Sequence, residues 1–132
     1  MAKAKKVKQL SFEITDKAGL LSEITGVITG GKINLTAACA YAMGEKAYFM
    51  LNADSAAKAK KALSKLGITA QEDDVVEVEM PNKPGELDKV AKKIAGAGIN
   101  IEYMYATAGT GKSSTCIFST SDNKKTIQAI NK

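Results

Sequence analysis

Residues 16–35 read DKAGLLSEITGVITGGKINL, and residues 82–101 read NKPGELDKVAKKIAGAGINI. The two stretches align without a gap at a constant offset of 66 residues, with identities at Lys17/Lys83, Gly19/Gly85, Leu21/Leu87, Ile28/Ile94, Gly30/Gly96, Ile33/Ile99 and Asn34/Asn100. Other positions exchange like for like, as Ile24/Val90 and Leu35/Ile101 do. A repeat of this length is one folding unit used twice. In each copy, turn residues run into a glycine. Apolar residues follow at three- and four-residue spacing: Leu21, Ile24, Val27 and Ile28 in the first, Leu87, Val90, Ala91 and Ile94 in the second. That spacing predicts a helix with one apolar stripe, closed by Gly30-Gly31 in one copy and by Gly96 and Gly98 in the other.

Outward from each helix the period changes to two. In residues 8–15, Leu10, Phe12 and Ile14 alternate with Ser11, Glu13 and Thr15, which predicts a half-buried strand. Residues 33–43 and 47–53 read as two further strands around a turn at Gly44, and residues 56–66 as a second helix, capped by Asp54 or Ser55 and stopped at Gly67. Residues 68–71 close the unit as a fourth strand. After a short acidic connection, Glu72–Asp74, the order begins again. Strand 75–80 leads to the helix after Gly85, strand 99–107, a turn over Ala108–Lys112, strand 113–120, and a helix over 124–130 capped by Asp122. No eighth strand follows, so the vacant edge of the second unit must be open, covered, or filled from elsewhere in the chain. The expected fold class is α+β: two tandem ferredoxin-like βαββαβ units, each an antiparallel sheet with its helices on one face, together an eight-stranded type of sheet lacking the last strand. The expected division is a basic N-terminal arm over 1–7, a first domain over 8–72 and a second over 73–132.

Composition narrows the chemistry. There is no histidine among the 132 residues, which removes the commonest general base and the commonest metal ligand. Cys39 and Cys116 lie in apolar stretches at a spacing that fits neither a metal knuckle nor a redox pair, so both read as small buried hydrophobes. No cofactor, metal or catalytic set is expected. The net charge of +5 comes with only 5% aromatic residues, and the lysines at 3, 5, 6 and 8 read as a solvated arm, which argues against nucleic acid. No apolar run reaches the ~18 residues of a membrane span, and the start lacks the apolar region of a signal peptide. A cytoplasmic location is expected.

Residues 106–113, ATAGTGKS, fit a relaxed phosphate-loop pattern. Such a loop must open a helix whose N–H groups hold the phosphate, but Thr115–Phe118 is rich in strand formers and the matched place in the first copy, around Gly44, is a hairpin turn. A hairpin is therefore expected, and nucleotide hydrolysis is not.

The second candidate is the repeated polar set: Asp16, Gly19 and Asn34, with Asn82, Gly85 and Asn100. Each glycine stands where a helix begins, and the free N–H groups of a helix start favour a carboxylate. Each asparagine stands just past that helix and carries donors and an acceptor. The same residues also suit a purely structural role, with Asp16 and Asn82 capping helices and the glycines permitting a turn.

These turns, D-K-x-G-x-L and N-K-P-G-E-L, each followed by x-I-N-[LI], resemble the ACT domain, a small βαββαβ module that binds amino acids and regulates metabolic enzymes. The resemblance spans nearly the whole chain as a tandem pair with no catalytic domain attached. It implies units side by side, with an amino acid at the seam between the first-helix entrance of one and the second strand of its neighbour. Carried onto matching positions, it nominates Asp16, Gly19, Leu20, Leu21 and Asn34, with Asn82, Gly85, Glu86, Leu87 and Asn100. Backbone N–H groups of the Gly-x-Leu turns would hold the α-carboxylate, Asn34 and Asn100 the amino or carboxylate ends, and Asp16 the ammonium. Members that bind serine place a histidine two residues before the turn, where this chain has Ile14 and Met80, so serine is not implied. The expected function is a non-catalytic regulator that binds a small amino acid and acts on a partner enzyme or on its own assembly, as a homodimer. A docking or dimerisation module without a small-molecule ligand is the alternative.

Overall fold

The computed structural model describes residues 2–107 and 110–132. Its elements are β1 (Lys3–Thr15), α1 (Leu20–Gly30), β2 (Leu35–Met43), β3 (Lys46–Ala53), α2 (Ala56–Ser64), β4 (Gln71–Pro81), α3 (Glu86–Gly96), β5 (Ile101–Thr107), β6 (Ser113–Thr120) and α4 (Asn123–Asn131). The chain divides into two compact units. The first is Lys8–Asp73; the second joins the segment up to Val7 to Asp74–Lys132.

In the first unit the strands lie in the order β2-β3-β1, with the beginning of β4 on the far side of β1. β3 pairs antiparallel with both β1 and β2: Leu10 faces Leu51 and Phe12 faces Phe49 between β1 and β3, and Ala38, Ala40 and Ala42 of β2 face Leu51, Phe49 and Ala47 of β3. The alternation seen in the sequence turns Leu10, Phe12, Phe49 and Leu51 toward the helices, where they pack with Ile24, Ile28 and Leu63. Phe12 and Phe49 stack with centroids 5.1 Å apart and planes 5° from parallel. Burying each of these large side chains contributes roughly 1.5–3 kcal/mol.

In the second unit the order is β5-β6-β4, and the fourth strand is the N-terminal part of β1. Lys3–Val7 were expected to be a solvated arm; from Lys3 onward they are strand. Ala4 is buried with Val76, Val78, Val90, Ile94 and Phe118. Its N–H donates to Asn131 Oδ1 at 2.7 Å and its carbonyl accepts from Asn131 Nδ2 at 2.9 Å. Lys5 Nζ lies 3.3 Å from Glu77 Oε2. The edge that lacked a candidate strand is thus lined by residues from the opposite end of the sequence.

The described residues therefore form six strands where seven were expected. Residues 68–71 do not make a separate strand; Ile68 and Ala70 are buried in the first core, and strand begins at Gln71. Glu72–Asp74 is not a connection but the interior of β4. The stretch holds no glycine or proline to turn it, so one extended segment serves the first unit with its start and the second with its remainder. β1 does the converse. The fold is α+β, with tandem βαββαβ units.

Candidate functional site

The first helix of each unit begins in the same unusual way. Gly19 and Gly85 hold φ of +82° and +88°, the left-handed region that an L side chain adopts only at a cost, and each carbonyl accepts the first helical bond, from Glu23 N at 3.0 Å and from Lys89 N at 3.1 Å. Neither helix start has a side-chain cap, so Asp16 and Asn82 do not cap α1 and α3. The other two helices are capped: Ser55 accepts from Lys58 N at 3.3 Å, and Asp122 from Lys125 N at 3.0 Å. The first N–H groups of a helix lack intrahelical partners, and those of α1 and α3 are left without a cap. The turn is fixed instead through the backbone, by Asp16 N donating to Glu45 O and Asn82 N to Lys112 O, both at 2.9 Å.

Beside the start of α1 lies a groove of about 290 Å³. Ala40, Ala42 and Phe49 form its floor, Leu20 and Leu21 one wall, and Asp16 lies along it. The groove exists because the edge strand β2 carries alanine at 40 and 42, which leaves the volume beside the helix start unfilled. Leu20 is 7% exposed and Leu21 55% exposed, so the wall runs from core to solvent. Lys17 Nζ pairs with Glu23 Oε2 at 3.0 Å, whereas no hydrogen bond or ion pair engages the Asp16 carboxylate among the described residues. The groove can hold a small zwitterion: uncapped N–H groups suit its carboxylate, Asp16 its ammonium, and the alanine floor its side chain.

Asn34 does not join this set. It lies past the far end of α1, an eleven-residue helix and so about 16 Å long, away from Gly19. Its backbone explains its position: Asn34 N donates to Asp54 Oδ1 at 3.2 Å and Asn34 O accepts from Asp54 N at 3.0 Å. Asn100 repeats the arrangement with Ser121, at 3.1 Å to Oγ and 2.9 Å from N. Within each unit the glycine and the asparagine of the repeated set are therefore at opposite ends of one helix.

In the second unit the turn is differently engaged. Asn82 Nδ2 donates to Gly111 O at 3.0 Å, which ties the side chain to the β5–β6 loop. Leu87 is 42% exposed. Glu86 is buried and faces not the loop but a cleft of about 310 Å³ that Met80, Val90 and Ala2 also line. Sequence reasoning missed Ala40, Ala42 and Phe49; the signal for the two alanines was the run of small residues TAACAYA in a strand. At the phosphate-loop lookalike, Ala108 and Gly109 lie outside the described residues, as does part of the expected turn. Ser113 opens β6 rather than a helix, so the loop lacks the helix start that would hold phosphate. Cys116 is buried and Cys39 half-buried; both are free thiols. No cluster of three or more potential metal ligands occurs among the described residues. No helix among them is long and apolar enough to cross a membrane.

The profile of the family described as ACT domain pair matches residues 5–132. This chain belongs to that family. Among solved structures, the ACT pair is similar to protein BT0572 from Bacteroides thetaiotaomicron, with 32% identity, a TM-score of 0.87, and coverage of 97% of this chain and 88% of that one. Its fold also resembles the regulatory subunit of aspartate kinase from Thermus thermophilus, at 16% identity and a TM-score of 0.68, covering 98% of this chain and 94% of that one. The regulatory subunit of aspartate kinase from Thermus flavus gives 18% identity and 0.63, with coverage of 98% and 95%. No curated protein matches the chain at a significant level.

Proposed function

We propose that this ACT pair is a non-catalytic regulatory protein that binds a small apolar amino acid in the groove of its first unit. One observation carries the reading: an uncapped helix start and an unengaged carboxylate, Asp16, flank an apolar floor of alanines. Membership of the ACT pair family, and a fold like that of aspartate kinase regulatory subunits, support it. In the proposed complex the N–H groups at Leu20 and Leu21 hold the α-carboxylate, Asp16 pairs with the ammonium, and the side chain rests on Ala40 and Ala42. Binding acts on a partner enzyme or on the protein's own assembly as a homodimer. A coupling of about 1–3 kcal/mol between ligand and assembly is enough for control.

A thermal-shift screen of the twenty amino acids, with ATP alongside, tests this. A ligand at 100 times its Kd stabilises the folded state by about 2.7 kcal/mol, a readily visible shift. One or two apolar amino acids are expected to give it, and Asp16→Ala to cut it by about half. A flat screen at millimolar concentration overturns the reading. It would favour a docking module instead, for which Tyr41 and Met43, 50% and 65% exposed on the edge strand β2, provide a surface.

A further inference from the structure

The fourth strand is held differently in the two units. In the first it runs on directly from α2. Gly67 N donates to Ser64 O at 3.0 Å and Ile68 N to Leu63 O at 3.2 Å, and the chain then seats Ile68 and Ala70 in the core, 7% and 2% exposed. At the constant offset of 66, the matched residues of the second unit are Ala2 and Ala4. Ala2 is partly buried and Ala4 is 8% exposed, so an isoleucine has given way to an alanine and the apolar anchor is smaller. The covalent lead-in is gone as well, because Ala4 stands 127 residues from Asn131, at the end of α4.

One side chain takes the place of that tether. Asn131, where the first unit has Lys65, turns its amide to the backbone of Ala4, accepting from the N–H at 2.7 Å and donating to the carbonyl at 2.9 Å. These are the two bonds that an antiparallel neighbour exchanges with a strand residue, so the clamp reads extended backbone rather than a side chain. Side chains are read around it. Ala4 sits in the core with Val76, Val78 and Phe118, a place that suits a small apolar group and penalises a charged one. The next residue, Lys5, is largely exposed and brings Nζ within 3.3 Å of Glu77 Oε2. A backbone clamp, a small apolar seat and a carboxylate for the following lysine make a peptide site, and its occupant is the chain's own segment. Beyond its pairing with β4, that occupant is held by two neutral hydrogen bonds, one alanine and one exposed ion pair, each a modest net contribution.

We infer that Lys3–Val7 is a releasable strap, and that the place beneath it is a capture site for an extended peptide in which a small residue precedes a lysine. The strap opens while the rest of the second unit stays folded, and the bared edge of β4 then takes another copy of the same segment by strand addition. The site lies in the other unit from the groove beside Asp16 and does not rest on the reading given for that groove.

Two measurements on the full chain test this. In the wild type, hydrogen exchange at the Ala4 amide is expected to be at least about tenfold faster than at Cys116 and Phe118 on the central strand β6, because the strap opens without the core. In Ala4→Lys, which would bury an ammonium if the segment stayed seated, the strap is expected to lie free. A fluorescein-labelled peptide of residues 2–7 should then bind this variant, read by anisotropy, at least about tenfold more tightly than it binds the wild type, whose tethered segment competes at a high effective concentration. Asn131→Ala added to the Ala4→Lys chain, or Ala4→Glu in the peptide, should each weaken that binding by about tenfold. The inference is overturned if Ala4 exchanges only together with β6, or if Ala4→Lys strips the β6 amides of protection, which would make the segment part of the core. It is equally overturned if the peptide fails to bind the folded variant, or binds it as well after either of the two weakening changes.

Discussion

The two units share a scaffold and differ in what the scaffold carries. Gly19 and Gly85 hold nearly the same left-handed conformation, and the turns before them are anchored by equivalent backbone bonds of 2.9 Å. Around this common frame, Phe12 and Phe49 of the first core correspond by strand register to Val78 and Cys116 of the second, and Ala38 and Ala40 of the edge strand to Met104 and Ala106. The polar partners diverge as well: Asp16 keeps its carboxylate unengaged beside a groove, while Asn82 spends its amide on Gly111. What recurs at matched positions is the backbone requirement, and what varies is the chemistry. A repeat in sequence thus points to a shared fold more directly than to a paired site.

That comparison breaks most visibly in the cores. Phe49→Ala removes a stacked, buried ring and should destabilise the protein by about 3–5 kcal/mol. Cys116→Ala at the matched position removes one atom and should cost about 1 kcal/mol. Urea unfolding checks both; equal losses would mean that the two cores do not divide the load as their packing indicates. Next come the glycines. No atom lies within 4 Å of a Cβ added at Gly19 or Gly85, so alanine there meets only the backbone cost of a positive φ, roughly 1–2 kcal/mol at either site. Unequal costs would show that the turns are not equivalent. The turn side chains give the sharper contrast. Asp16→Ala should lower affinity for the first-groove amino acid by about tenfold, the effect of losing a charge-assisted bond, with Asn82→Ala leaving that affinity unchanged by calorimetry.

The legible part of the molecule was what local rules control. Period-two and helical spacing placed four helices and most strand residues, and the glycines of the two turns marked where the first helix of each unit begins. The N-terminal strand was hidden because only Ala4 of Lys3–Val7 points into the core, and a single alanine among lysines carries no alternation. The uninterrupted β4 was hidden because Glu72–Asp74 are acidic, which suggested a connection although no turn-forming residue is present. Of the site, the turn and helix start could be read, since they lie within four residues of each other. The floor could not, because Ala40, Ala42 and Phe49 come to Asp16 only through the pairing of β2 with β3. Asn34 and Asn100 recur at matched places where each backbone locks a strand start to the entrance of a later helix, so within one unit they stand apart from the glycine turn.

The smallest effect concerns the thiols, and it again sets one unit against the other. Burial pushes the Cys116 thiol up to about 11 from an ordinary 9.0, whereas Cys39, half-buried on β2, is open to reagent. At pH 8 a disulfide reagent should therefore modify Cys39 in the folded protein and reach Cys116 only as fast as the second unit opens. The sign of the pH effect follows from linkage. A thiol whose folded pKa is raised keeps its proton longer in the native state than in the unfolded one, so its contribution is fully present below about pH 9 and is lost as pH rises toward about 11. Other groups titrate in that range, so the quantity to measure is the difference in urea midpoint between wild type and Cys116→Ala at pH 8 and at pH 10.5. The gap should narrow at the higher pH. A constant gap would mean that Cys116 acts through packing volume alone, and a fast reaction of Cys116 at pH 8 would mean that the second unit opens more readily than its closed core implies.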